Sequence, residues 1–217
     1  MTPNNILNMA QLKELDVIAL TDHNSCKNCP GLFEAAEGTD LIVIAGAEVC
    51  TCEEIHAVCL FETLEGAMAF DAALEKHLPP IENQPDAFGH QTILNGEDQP
   101  VGEFSTLLIT GCDLSISELP GFAAEFGGHV FCAHIDKNSY SVISVLSEYP
   151  ELPGVTAAEI ANPAKIDQLL EKYPALKECQ ILTDSDAHYL WDMSERYYSI
   201  PCEERSREAF FRACFGK

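Results

Sequence analysis

Four short apolar runs in this chain end on ionisable residues, and that pattern constrains the fold more tightly than any other. VIALT runs into Asp22 and His23, IVIAGA into Glu48, HVFCA into His134, and ILT into Asp184, Asp186 and His188. Stretches with helical spacing lie between the runs. The rhythm is that of βα units, whose strands are buried on both faces and read as continuous apolar runs. In a barrel of parallel strands the C-terminal strand ends share one face. The pattern therefore predicts an α/β fold in which four separate segments deliver carboxylates and imidazoles to one place.

Read along the chain, DVIALTD (16–22) is a strand, and Pro30 opens a short helix at GLFEAAEG. LIVIAGAEV (41–49) is the next strand. EEIHAVCLF (53–61) follows closely enough to be its hairpin partner, which would return His56 toward Glu48. LEGAMAFDAALEKHL (64–78) has helical spacing. Residues 81–104 break the rhythm, with Asn95-Gly96 as a hairpin turn, and are read as an insertion within one domain spanning 1–217. Ser115 and Glu118 match a capping box, with Gly127 and Gly128 as the stop. A strand at GHVFCAH, a helix from about Ser139 to Ser147, a strand at VTAAEIA, a helix opened by Pro163 and a strand at QILTDSD follow, with YYSIP before a closing helix. The chain opens on a helix, with Thr2 as N-cap and Pro3 in the first helical position. A βα series begins with a strand, so the expected architecture is a barrel lacking its first strand.

Composition narrows the function classes. No stretch approaches the roughly 18 apolar residues of a membrane span, and the first residues lack the basic start and apolar run of a signal peptide. A soluble, cytoplasmic protein without a membrane partner is expected. Lys plus Arg total 12 against 35 Asp plus Glu, a formal net charge of −23. That disfavours long nucleic acid as a partner, because neutralising many phosphates needs a basic surface. The ten cysteines sit singly in apolar runs and read as reduced thiols. Cys26-x-x-Cys29 with Cys50-x-Cys52 is the one alternative, a structural four-thiolate zinc site, although the spacing suits no standard zinc ribbon.

His, Asp and Glu gathered without paired cysteines are the ligand set of catalytic zinc, iron or manganese. Metals about 3.5–4 Å apart can stabilise both the attacking and the leaving oxygen in phosphoryl transfer. TDHN (21–24), GAEVCTCEEIH (46–56), AHID (133–136) and SDAH (185–188) together resemble the successive metal motifs of the polymerase and histidinol phosphatase (PHP) family, in the family's order from about residue 16 to 190. The resemblance implies a distorted (β/α)7-type TIM-like barrel. It also implies a cluster of up to three divalent metals, zinc, manganese or iron, held by His23, Glu48, His56, His134, Asp186 and His188, with Glu48 bridging. Glu48, Asp186 and His188 would then be the catalytic centre of a metal-dependent phosphoesterase acting through a metal-bound hydroxide. The site built from Glu48, His56 and His134 is complete. Family members open with a strand carrying a His-x-His pair, and none precedes Thr2.

Lesser signals flank these motifs. Asp22 is read as a carboxylate orienting a ligand imidazole, and Asp184 as a local hydrogen-bonding group. Lys137, and less so Lys27, are the basic residues near motif ends that could meet a substrate phosphate. His77, His90 and His129 lie off the strand-end pattern and read as structural. The substrate expected is a small phosphorylated metabolite or a short oligonucleotide; an amidohydrolase-like reaction and a non-catalytic metal-binding or scaffolding domain are the alternatives. One upstream segment of about ten to twenty residues, carrying a strand and a His-x-His pair, would complete both barrel and ligand set. A chain extended to an upstream in-frame start is thus expected to be more stable, to bind more metal per chain and to hydrolyse a generic phosphate ester faster than the 217-residue form. Equal metal content and equal turnover in the two forms would refute this.

Overall fold

The apolar runs form strands where the sequence suggests them. β1 (Val17–Leu20), β2 (Ile42–Cys50) and β3 (His56–Phe61) come first, then a hairpin of β4 (Thr92–Leu94) and β5 (Pro100–Glu103), then β6 (Gly128–Cys132), β7 (Ala157–Glu159) and β8 (Gln180–Leu182). In the computed structural model, which describes residues 1–216, six of these form one curled mixed sheet in the order β1, β2, β3, β6, β7, β8. β1 and β2 are parallel, as are β6, β7 and β8, whereas β3 runs antiparallel to both its neighbours. The cause is connection length. Only residues 51–55 separate β2 from β3, and a parallel crossover needs a dozen or more.

The six-stranded sheet curls like half a barrel without closing. β1 and β8 are its two ends and do not pair with each other. Between them lies a cleft of about 570 Å³, lined by Val17 to Asp22 of one edge and Leu182 to His188 of the other.

Both faces of the sheet are covered. On one, Ala45, Ala47 and Val49 of β2 and Ala57, Cys59 and Phe61 of β3 pack on Phe70 and Leu74 of a helix at Leu64–Leu74. On the other, Ile44, Val58, Leu60, Phe131, Ala157 and Leu182 form an apolar layer capped by Phe211 and Phe215 of the closing helix, Arg207–Phe215. The opening helix, α1 (Pro3–Leu12), buries Pro3, Ile6, Leu7 and Ala10, a spacing of three, four and seven that makes a single stripe. It packs on Ile18, Leu32 and Val43. Thr2 occupies the N-cap position but makes no cap bond; its hydroxyl instead donates to Asp98 Oδ2 at 2.8 Å. No helix of the described residues is long and apolar enough to cross a membrane.

The β4–β5 hairpin stands as its own two-stranded sheet over α2 (Cys29–Ala35). Asn28 fastens it, accepting from Leu94 N–H at 2.9 Å, and Glu34 accepts from Gly96 N–H at 2.9 Å. All ten cysteines are free, and Cys52 is exposed while Cys26, Cys29 and Cys50 are buried. No thiolate group of metal-binding geometry occurs among the described residues, so the alternative zinc site does not form.

Two glycines separate helix propensity from packing. Alanine in a helix ordinarily gains about 1 kcal/mol over glycine. At Gly31 of α2 a Cβ would meet the Leu94 carbonyl oxygen at 2.3 Å, whereas at Gly121 it would meet nothing within 4 Å. Backbone cannot yield as a side-chain tip can, so overpacking wins at the first site. Gly31→Ala is expected to destabilise by about 1–3 kcal/mol and Gly121→Ala to stabilise by up to about 1 kcal/mol in urea denaturation.

Candidate metal centre

Strand alternation aims the acidic groups inward. Side chains two apart share a face, so Glu48 follows Ile44 and Glu159 follows Ala157 onto the cleft side of the sheet. Glu48 pairs in register with Val58 and Glu159 with Leu182, at the border of the apolar layer. Cys50 pairs with His56 in register, which brings His56 back beside Glu48. Beyond β1 the parallel ladder continues as a bridge between His23 and Glu48, with Asn24 N–H donating to Glu48 O at 2.9 Å and Glu48 N–H to Asp22 O at 3.0 Å.

The buried Glu48 carboxylate sits among three imidazoles. Its Oε2 is 3.0 Å from His23 Nδ1, and its Oε1 is 3.2 Å from His56 Nδ1 and 3.4 Å from His134 Nε2. Burial alone would hold the proton on Glu48, but hydrogen bonds from His134, His23 and His56 outweigh it and keep the carboxyl well below the usual carboxylate range. The hydrogen bond to Glu48 in turn raises His23 above its ordinary value of 6.5.

Donor atoms of His23, Glu48 and His56 all lie within 4.8 Å of one another. This group includes His23 beside Glu48 and His56, while His134 Nε2 approaches the same carboxylate from the other side of His56. His134 is held differently: its backbone is left-handed, with φ 31°, its N–H donates to Glu159 Oε2 at 2.9 Å, and its buried Nδ1 has no hydrogen-bond partner. Asn24 and Asp186 are left-handed as well, with φ 49° and 43°. Such backbone in non-glycine residues concentrates at functional sites, where surrounding bonds impose it. Around Asn24 those bonds are visible, since its amide donates to the Leu108 and Thr110 carbonyls and accepts from Cys50 N–H.

Asp186 and His188 line the same cleft, with the His188 ring 5.7 Å from that of His23. Asp186 is ion-paired to Lys137, so the sequence-suggested phosphate lysine already holds a carboxylate of the site. His188 Nδ1 lies 3.0 Å from the Asp186 carbonyl oxygen. A carbonyl only accepts, so Nδ1 carries the proton and Nε2 is the free basic nitrogen. Asp184 accepts from Asp186 N–H at 3.0 Å, and burial together with the charges of Asp186 and Glu48 pushes its carboxyl up to about 6. Asp22 accepts from the Asn28 amide at 2.9 Å and makes no hydrogen bond to a site imidazole; it tethers the loop after β1 to α2 and acts on His23 only through its charge. Lys27 pairs with Glu75 at 3.1 Å, away from the cleft. His77, His90 and His129 pair with Asp113, Glu103 and Glu62 respectively, apart from the centre.

Sequence reasoning passed over Glu159. Its Oε1 is buried without a partner and it lines the cleft, so it is a further carboxyl group of the site. The available signal was the one that identified Glu48, an acidic residue at the end of an apolar run. Imidazoles and carboxylates with no thiolate, and two buried donor atoms left unpartnered, fit a hard or borderline divalent cation.

No protein-family model and no curated protein sequence matches the chain. Solved structures do. The lesion-specific endonuclease PfuEndoQ from Pyrococcus furiosus superposes with a TM-score of 0.65 at 16% identity over 100% of this chain and 51% of its own. Endonuclease Q in complex with a 27-mer duplex substrate, an abasic lesion at its active site, gives 0.59 at 17% over 88% and 45%. A candidate metal-dependent phosphoesterase from Bifidobacterium adolescentis gives 0.59 at 16% over 98% and 91%. The chain spans about half the length of the endonucleases it matches. At such identities the likeness is one of fold.

The shifts set opposite pH dependences with and without metal. Glu48, depressed, contributes stability above its unfolded value near 4.5 that is lost only as pH falls through its folded value. His23, raised, contributes stability below 6.5 that is lost as pH rises through its folded value. Metal requires the neutral imidazole and displaces that proton. In chelator, Tm is expected to fall as pH rises from about 6 to about 8, while the gain in Tm on adding divalent metal grows over the same interval. Scanning calorimetry at both pH values reads both slopes.

Proposed function

We propose that this chain is a metal-dependent phosphoesterase of the PHP kind. The observation that carries the reading is the buried Glu48 carboxylate, which lines the cleft and is ringed by His23, His56 and His134. The shared fold with a lesion-specific endonuclease and a candidate metal-dependent phosphoesterase supports it. In this reading His23, Glu48 and His56 hold a first divalent ion, with His134, Asp186 and His188 completing a cluster. Zinc, manganese and iron all suit the donor set. When bound, such a metal polarises a phosphoryl oxygen and makes water a competent nucleophile near neutral pH.

The chain's own residues do the rest. Glu48 accepts from His23, His56 and His134 and so fixes the orientation of the three imidazoles. His188, its Nδ1 fixed by the Asp186 carbonyl, would offer Nε2 to the cluster. Lys137 keeps Asp186 in place and adds a positive charge beside the phosphate. The open gap between β1 and β8 admits the ester. The overall architecture proposed is a barrel of the TIM-like kind, incomplete between those two strands.

The test is a panel of phosphate monoesters and diesters set against amides and lactones, run with the chain loaded with manganese, zinc or iron(II). Phosphate esters are expected to be cleaved, with activity lost in chelator. Glu48→Gln should lower metal affinity by about 100-fold or more, and His188→Ala should lower kcat by about 100-fold or more. Stoichiometric metal without hydrolysis of any ester would instead assign the chain to the non-catalytic metal-binding class.

A further inference from the structure

A chain with 12 basic and 35 acidic residues cannot draw much affinity for a phosphorylated ligand from phosphate neutralisation. Another source lies beside the centre. Tyr189 directly follows His188, and its ring stacks on that of Trp191 with centroids 5.1 Å apart and planes 2° from parallel. The two residues are 57% and 74% exposed. Aromatic side chains are large apolar surfaces that ordinarily contribute by being buried, and here two are held flat in water one and three residues beyond His188. At the far side of the imidazole row the pattern repeats. Tyr140, 47% exposed, stacks on His56 at 4.6 Å, and its left-handed backbone presents the carbonyl that accepts His56 N–H at 2.8 Å.

We propose that the Tyr189–Trp191 pair is a stacking platform for the base of a nucleoside phosphate ester. The substrate class of this centre is then a nucleotide or short single-stranded oligonucleotide, not a sugar phosphate. The proposal rests on the phosphoesterase reading and deepens it. Every nucleobase offers a π-face, and stacking on an aromatic ring is indifferent to base identity and to the protein's net charge. It supplies affinity by a route that a charge of −23 does not weaken. A sugar phosphate has no flat face to offer. Reach is suitable too, because Cα atoms step about 3.8 Å, which keeps the Trp191 Cα within about 11 Å of that of His188.

Trp191 is the only tryptophan in the chain, so its fluorescence reports occupancy of the platform directly. The full chain, with metal and again with chelator, is titrated with adenosine 5′-monophosphate, adenosine and ribose 5-phosphate. Saturable quenching is expected from the first two and none from the third, with a shallow salt dependence. Tyr189→Ala, which keeps the fluorophore, should weaken the Kd for adenosine monophosphate by about tenfold, and Tyr189→Phe should restore it. Absence of a base-dependent response, or an unchanged Kd in Tyr189→Ala, overturns the proposal. Hydrolysis of phosphate esters with no preference for a base would remove the platform and leave the phosphoesterase reading intact; base-dependent quenching without hydrolysis of any ester would do the reverse. Quenching that follows protein concentration alone would assign the rings to a contact between copies and also overturn the proposal.

Discussion

A carboxylate that stays ionised inside a protein must be surrounded by donors, and Glu48 is the point at which this structure meets that demand. The cost of removing such a charge from water exceeds what any single neutral contact returns. Three imidazoles from three segments answer it: His23 after β1, His56 at the start of β3 and His134 after β6. The same convergence makes the group a metal centre in the making, since a cation can take over what the protons on those imidazoles do. Protons and metal therefore compete for one set of atoms.

The reversal of β3 is what allows that convergence. Had the chain crossed over to a parallel neighbour, His56 would have begun its strand at the opposite end of the sheet from Glu48. Instead the tight return after β2 pairs Cys50 with His56 and puts the start of β3 where its neighbours end. On the same face of the sheet, Ile44, Val58, Leu60 and Phe131 form a close-packed apolar layer, so the Glu48 carboxylate and its imidazoles are backed by rigid packing. The sheet's two free edges, β1 and β8, face one another across the cleft, and the groups that line it can meet a ligand without the fold opening further.

Much of this was legible in the residues. Continuous apolar runs marked the six sheet strands, and acidic or imidazole residues at their ends marked the site, because burial on both faces leaves the strand end as the place where a polar group can reach water. The hairpin return of His56 followed from loop length. What could not be read was pairing between distant side chains. Asp22 adjoins His23 in sequence yet is held by Asn28, and Lys137 after β6 is bound to Asp186 after β8. Glu159 carried the same strand-end signal as Glu48 but belonged to none of the motifs that drew notice.

The sequence by itself determined the succession of elements, the apolar faces and the supply of imidazoles and carboxylates at strand ends, because periodicity and local turn chemistry act over a few residues. Only the tertiary structure decided that β1 and β8 are the two ends of the sheet, that His23, His56 and His134 meet at one carboxylate, and that the Tyr189 and Trp191 rings lie stacked in water. Those outcomes depend on distances between segments far apart in the chain. Curl of the sheet and the packing beneath it set such distances, and no local pattern of residues encodes them.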